Sequence, residues 1–312
     1  MWTNPYVLLT LATLFWGGNF ALGKAVSGSI PPMTLSYIRW IEALIFFLPF
    51  AWFEFREQRK VLQTNWKAFV ALGITGVLGF NMCVYLSVQY TTAINASLIN
   101  SFAPIVVTLL SIICLQEPVS MRQTSGILIS LVGVIWIVAG GNLQQLLSLT
   151  FNTGDLIMLF AIVLWGIYNI VLKKQGKLAP PKTIFVGSII GGLVVTLPLI
   201  IYENYYYGLD WITKLSALHY LSLLYFGIFP TIFAFLFFNK AMLEVGPSKA
   251  SIFLNLVVVF AAFFGILFLN EKLLAAHLVG GILIVAGVVL TARKNPEAKQ
   301  VGKTNTNDKI SI

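Results

Sequence analysis

Charge is what this chain has least of. Only 10% of its 312 residues are Asp, Glu, Lys or Arg, against roughly 25% in a soluble domain, and 58% are hydrophobic. So few polar side chains cannot cover an aqueous surface, which excludes a soluble globular fold. Histidine and cysteine are scarcer still, with two of each. His219 and His277 stand near expected membrane boundaries, and Cys83 and Cys114 lie inside apolar runs without CxxC spacing. No His/Cys/carboxylate set for a metal can be assembled from them, no histidine is placed as a buried base, and no disulfide is expected. The GxSxG, P-loop and HExxH patterns are missing as well. An enzyme is therefore not expected, and no cofactor is implied.

Long apolar runs take the place of these features. A helix that crosses the bilayer needs about 20 mostly apolar residues. Ten such runs can be drawn, at approximately 5–26, 33–53, 67–88, 92–115, 120–140, 155–174, 182–202, 217–240, 247–270 and 273–292. The fold class expected is an all-α integral membrane protein with ten transmembrane helices. The linkers leave no room for a soluble domain. The first run is too long for a signal-peptide core and follows no basic segment, so it is expected to be retained as a helix. Residues 294–312 are polar, basic and poor in apolar side chains, and are expected to form a disordered cytoplasmic tail.

The net charge of +9 could suggest a nucleic-acid partner, but its distribution argues for topology. If the N-terminus lies inside, sixteen of the twenty basic residues fall on the inner side, and only Lys24, Arg39, Lys214 and Lys272 fall towards the outer one. This positive-inside bias places both termini in the cytoplasm of a cell that carries the protein in its inner or plasma membrane. The partners implied are the lipid bilayer and a small-molecule substrate, with no nucleic acid.

The chain also repeats itself. Residues 114–133 read CLQEPVSMRQTSGILISLVG and residues 268–287 read FLNEKLLAAHLVGGILIVAG, so Glu117, Gly126 and Gly133 recur as Glu271, Gly280 and Gly287, 154 positions later. Ala96-Ser97 and Ala250-Ser251 keep the same offset, and Leu14-Phe15-Trp16-Gly17 answers Val163-Leu164-Trp165-Gly166 at an offset of 149. Two five-helix copies follow, 1–146 and 147–293. An odd number of spans per copy inverts the second copy in the membrane, an architecture that transporters use to expose a central site alternately to either side. Glu117 and Glu271 are expected to satisfy the free N–H groups of helices 5 and 10, and the glycines to let neighbouring helices approach closely.

Several polar residues fall on inward faces by helical spacing. Ser97, Ser101, Pro104 and Thr108 form one stripe of helix 4, flanked by Asn100, and Ser251, Asn255, Val258 and Ala262 form the related stripe of helix 9. Trp16, Asn19 and Gly23 share a face of helix 1, Asn81 and Tyr85 one of helix 3, and Trp165 and Asn169 one of helix 6, while Asn239 ends helix 8 at the position related to Tyr85. An amide in hydrocarbon must find a partner. These side chains therefore meet either substrate or a neighbouring helix. Arg39 and Glu42, three residues apart on helix 2, are expected to pair because an isolated intramembrane charge is costly. The pair either fixes helix 2 or lets Glu42 take up a proton during transport. Lys24 either attracts an anionic group or extends to the interface.

The ten spans in two halves resemble the EamA type of the drug/metabolite transporter superfamily. The likeness rests on the Trp-Gly with a nearby Asn in the first helix of each half, Pro31 and Arg39-Trp40, Tyr85, Pro104, and the Glu followed by a glycine-rich helix that closes each half. It covers residues 5 to about 293. Pro104 is marked as a hinge; its partner in the second half is Val258, so the halves are not expected to flex alike. The resemblance implies a cavity lined by helices 1, 3, 4, 6, 8 and 9. It also implies secondary or facilitative transport of small organic metabolites, such as amino acids or amphipathic compounds, commonly outward. A pore-type channel and a non-transporting membrane scaffold or sensor are the rival readings.

Overall fold

A computed structural model describes residues 4–26, 29–91, 93–142, 144–147, 151–176, 179–269 and 272–293. Glu271, the tail from 294 and the side chain of Lys24 lie outside the described residues. All regular elements among the described residues are helical. The long segments are α1 (Pro5–Val26), α2 (Pro32–Glu57), α3 (Trp66–Tyr90), α4 (Asn95–Leu115), α5 (Met121–Val138), α6 (Thr153–Gln175), α7 (Pro181–Tyr207), α8 (Ala217–Val245), α9 (Pro247–Phe268) and α10 (Ala275–Ala292). Eight of them, α3 to α10, are long and apolar enough to cross a membrane, which makes this a multi-pass membrane protein.

The helix ends follow from local sequence. Pro32 and Pro181 open α2 and α7 at a position where a missing N–H costs nothing, each preceded by a second proline in extended conformation. Ser120 and Gln123 form a capping box on α5, and Asn152 and Asp155 form one on α6. This corrects the role expected of Glu117. The hydroxyl of Ser120, one residue before α5, already takes the N–H of Gln123 at 3.3 Å, and Glu117 points elsewhere. Gln116, at φ 54°, ends α4 in the left-handed region, and its N–H donates to Ile112 O at 3.1 Å, an αL cap.

The packing has an internal symmetry. α1 lies against α8 and α9, α6 against α3 and α4, α2 along α7, and α5 along α10. Exchanging each helix for the one five places on leaves this pattern unchanged. The repeated glycines lie at the α5–α10 contact, and they meet each other. A Cβ at Gly133 would stand 2.6 Å from Gly280 O, and one at Gly126 2.6 Å from Gly287 O. The expected close approach is therefore present, between the two copies of the repeated phrase.

The backbone breaks also recur. α3 contains a π-helical stretch at Gly73–Val77 and α8 one at Gly227–Phe233, beginning 154 positions apart. α4 is interrupted at Ser101 and Phe102 just before Pro104, and α9 by a 3₁₀ stretch at Ile252–Asn255. The second break forms with Val258 in place of proline, so Pro104 alone does not distinguish the halves.

Candidate functional site

α1 and α6 bring their repeat-related tryptophans together at the centre of the bundle. The rings of Trp16 and Trp165 meet edge to face, with centroids 5.9 Å apart at 84°. Phe235 on α8 touches both, at 5.5 and 6.0 Å, and is edge-on to Trp40 of α2 at 4.9 Å. Tyr168 stacks on Trp165 at 5.2 Å. Such ring contacts contribute about 0.5–1.5 kcal/mol each beyond area burial. The cluster therefore ties four helices from both halves to one point. Trp16 Nε1 donates to Pro230 O at 2.9 Å, whereas the buried Nε1 of Trp165 has no hydrogen-bond partner.

The π-helical stretch of α8 is where the polar groups converge. Proline has no N–H to bond within a helix, and Pro230 lies in the middle of this widened stretch. Arg39 is 2% exposed. Its Nε donates to Thr231 Oγ1 at 3.0 Å and one terminal nitrogen to Tyr85 Oη at 3.3 Å, so one guanidinium bridges α8 and α3. The expected partnership with Glu42 is replaced by these bonds to neutral groups. Glu42 turns towards Gly227, where an added Cβ would stand 2.8 Å from its Oε2. That oxygen is buried without a hydrogen-bond partner. A positive and a negative side chain thus sit one turn apart on α2, neither neutralised by a direct ion pair. Thr231 in turn donates to Phe226 O at 2.6 Å.

With this geometry in place, the comparison with known proteins is direct. The profile of the EamA-like transporter family matches residues 3–139 and again residues 152–293. The chain belongs to the EamA-like transporter family. It is 24% identical over 309 residues to the uncharacterized transporter YyaM of Bacillus subtilis, covering 99% of each chain. It is 26% identical to an uncharacterized transporter of Archaeoglobus fulgidus, covering 94% of this chain and 98% of that one. A crystal structure of a protein 18% identical superposes with a TM-score of 0.76 over 92% of this chain and 96% of the other, which shows a shared fold.

In this EamA-like protein the remaining residues singled out in the sequence divide into two groups. Asn239 is buried and accepts from Tyr168 Oη at 2.9 Å. Asn169 is fully buried, donates to Trp165 O at 2.8 Å and leaves its Oδ1 without a partner. Both belong to the central cluster. Asn19, Ser97 and Asn100 are half-buried. Three others are occupied by their own scaffold. Asn81 donates to Val77 O at 2.9 Å and closes the π-helical stretch of α3. Ser101 donates to Leu98 O at 2.6 Å at the break in α4. Asn255 donates to Ser130 Oγ of α5 at 2.9 Å.

Sequence reasoning missed Tyr168, Thr231 and Phe235. Tyr168 could have been found from its spacing of three from Trp165. Thr231 carried only the weak signal of following Pro230 inside an apolar run.

Proposed function

We propose that this protein is a secondary or facilitative carrier that moves small organic metabolites, amino acids or amphipathic compounds, outward across the cell membrane by alternating access. In this reading the chain spans the bilayer ten times as two inverted repeats, 1–146 and 147–293, with both termini in the cytoplasm. Support comes from membership of the EamA-like family, from the double match to its profile, and from packing that survives exchange of the halves. One observation carries the proposal: Trp16 and Trp165, equivalent residues of the two repeats, meet at the centre. A site built from equivalent positions of two inverted halves changes its exposure when the halves rock.

Within that site Trp16, Asn19, Tyr85, Trp165, Asn169 and Asn239 contribute substrate contacts, and Ser97 and Asn100 line the approach. Glu42 is the coupling group. Its Oε2 is buried without a partner, and Arg39 spends its donors on Thr231 and Tyr85. An uncompensated carboxylate at this depth costs about 2.5–3.5 kcal/mol, a cost that proton binding removes.

Counterflow in proteoliposomes against a panel of labelled amino acids and related metabolites, with and without a pH gradient, tests both parts. Saturable exchange that responds to the gradient is expected, with the response lost in Glu42→Gln. Flux that neither saturates nor shows counterflow would overturn the carrier in favour of a channel. A gradient response unchanged in Glu42→Gln would remove the coupling role alone.

A further inference from the structure

The packing symmetry breaks at one place. The second part of α4, Ala103–Leu115, packs against the first turn of α9, Pro247–Ser251. The symmetry-related contact would join the first part of α4, Ala93–Asn100, to Leu256–Leu269 of α9, and among the described residues no comparable packing is found there. The two repeats are therefore closed against each other at one end of the α4–α9 pair only. That end carries Lys173, Lys174, Lys240 and Lys249, which makes it the cytoplasmic one by the distribution of basic residues.

Glu117 sits at this closure. The αL cap at Gln116 turns the chain sharply at the end of α4, and the N–H of Glu117 bonds back to Ser111 O at 3.3 Å. Its side chain crosses to the other repeat and lies over the α8–α9 turn. There Gly246 has φ 89°, and an added Cβ would stand 3.2 Å from Glu117 Oε2. A glycine is required twice over at this position, for its backbone conformation and for the space that receives Glu117. Around the contact is a cleft of about 260 Å³ lined by Glu117, Pro118 and Gln123 of the first repeat and by Lys173, Glu244 and Lys249 of the second. Lys173 Nζ donates to Leu243 O at 2.7 Å and anchors the far wall of the cleft.

We infer that the α4–α9 junction, with Glu117 seated over Gly246, is the cytoplasmic gate of the carrier, closed in this structure and required to part in every transport cycle. The inference rests on the alternating-access reading above. It adds which element moves and which contact breaks. The lining residues of the two repeats must separate when the cytoplasmic side opens, whereas those within one repeat need not.

The test uses the full chain with Cys83→Ala and Cys114→Ala, carrying Pro118→Cys and Glu244→Cys, two exposed positions on opposite walls of the cleft. In proteoliposomes, counterflow of labelled amino acids is measured before and after bridging the thiols with a short bis-thiosulfonate, and again after reduction. Bridging is expected to lower exchange at least tenfold and reduction to restore it. Bridging Glu244→Cys to Lys249→Cys, both in the second repeat, should leave exchange intact. Glu117→Cys with Lys249→Cys provides a second cross-repeat pair if the first expresses poorly. Undiminished exchange in the bridged cross-repeat proteins overturns the gate and leaves the carrier standing. Absence of saturable exchange in the unmodified chain overturns the carrier, and the gate with it.

Discussion

Glu203, close to the end of α7, accepts hydrogen bonds from both the backbone N–H and the hydroxyl of Thr34, at 2.6 and 2.7 Å. Its other oxygen takes the N–H of Met33 at 3.0 Å, so one carboxylate satisfies the first turn of α2. The mirror image is present at the opposite end of the pair. Glu54, near the end of α2, accepts from the N–H and hydroxyl of Thr183 in the first turn of α7, both at 3.1 Å. A carboxylate at a helix N-terminus is favoured by the free N–H groups and by the macrodipole. Each helix thus caps the other, which fixes α2 and α7 antiparallel and in register.

Removing one of these caps is expected to loosen the α2–α7 pair without touching the central cluster. Glu203 is 6% exposed and serves three donors, so Glu203→Ala should destabilise the protein by about 2–4 kcal/mol, the range for stranding buried donors that faced a charged acceptor. Glu54 serves two donors from a half-buried position, and Glu54→Ala should cost about 1–2 kcal/mol. Apparent melting temperatures in one detergent check the order. A larger loss for Glu54 than for Glu203 would show that burial does not set the strength of these caps.

The α5–α10 contact makes a second claim that can be measured. Gly133→Ala and Gly280→Ala would each drive a methyl group towards the carbonyl oxygen of the other glycine, and overpacking of this kind costs about 1–3 kcal/mol. Gly281→Ala is the matched control, because the nearest atom to its added Cβ, in Val259, is 4.0 Å away. Its stability should be unchanged or slightly raised by the better helix propensity of alanine. Equal melting temperatures for the alanine variants of Gly133 and Gly281 would show that the two helices are not held at this distance.

Much of this could be read from the chain, and what could not has physical causes. The helices and the repeat were legible because hydrocarbon demands long apolar segments and duplication leaves matching letters. The glycine contacts were half legible: Gly126 and Gly133 announced close approach, but not that Gly287 and Gly280 would be their partners. The reciprocal caps were written in plain sight and overlooked. Pro31-Pro32-Met33-Thr34 and Pro180-Pro181-Lys182-Thr183 are each followed, twenty residues after the threonine, by a glutamate. Two features were beyond reach of spacing. The π-helical stretches shift every face that follows them, so the stripe arguments that gathered Asn81 with Tyr85 assumed a regular helix that α3 does not keep. The pairing of Arg39 with Glu42 assumed that a charge seeks the nearest opposite charge, whereas packing placed Thr231 and Tyr85 within its reach first.

Glu117 gives a prediction with a definite sign. Burial pushes its carboxyl above the usual carboxylate range, and the nearby Lys173 and Lys249 pull it only part of the way back. A carboxyl whose value is raised on folding stabilises the protein fully below its unfolded value, and that contribution is lost as pH rises through the folded one. Glu117→Gln cannot ionise and escapes the loss. The melting temperature of Glu117→Gln relative to the parent is therefore expected to rise between about pH 4 and about pH 8 and to level off above. A difference that falls with pH would mean that the lysines outweigh burial and that the carboxylate is the docked form.

The arrangement around Arg39 is tested most directly by a double-mutant cycle with Glu42. In a buried ion pair, deleting one partner strands the other, at a cost of about 3–5 kcal/mol, and deleting both recovers most of it. Here Arg39 is held by Thr231 and Tyr85, and Glu42 has an oxygen with no partner at all. Arg39→Gln should therefore be costly by itself, because the bridge between α3 and α8 is lost. Glu42→Gln should be neutral or stabilising, because it removes an uncompensated charge from an apolar setting. The double variant should resemble Arg39→Gln, with a coupling of about 1 kcal/mol or less, the residue of a through-space attraction without contact. Arg39→Lys separates charge from geometry: a single ammonium cannot span two acceptors with the fixed fork of a guanidinium, so the lysine variant should melt with Arg39→Gln rather than with the parent. Recovery of stability in the double variant would restore the ion pair and remove the reason for assigning the proton to Glu42.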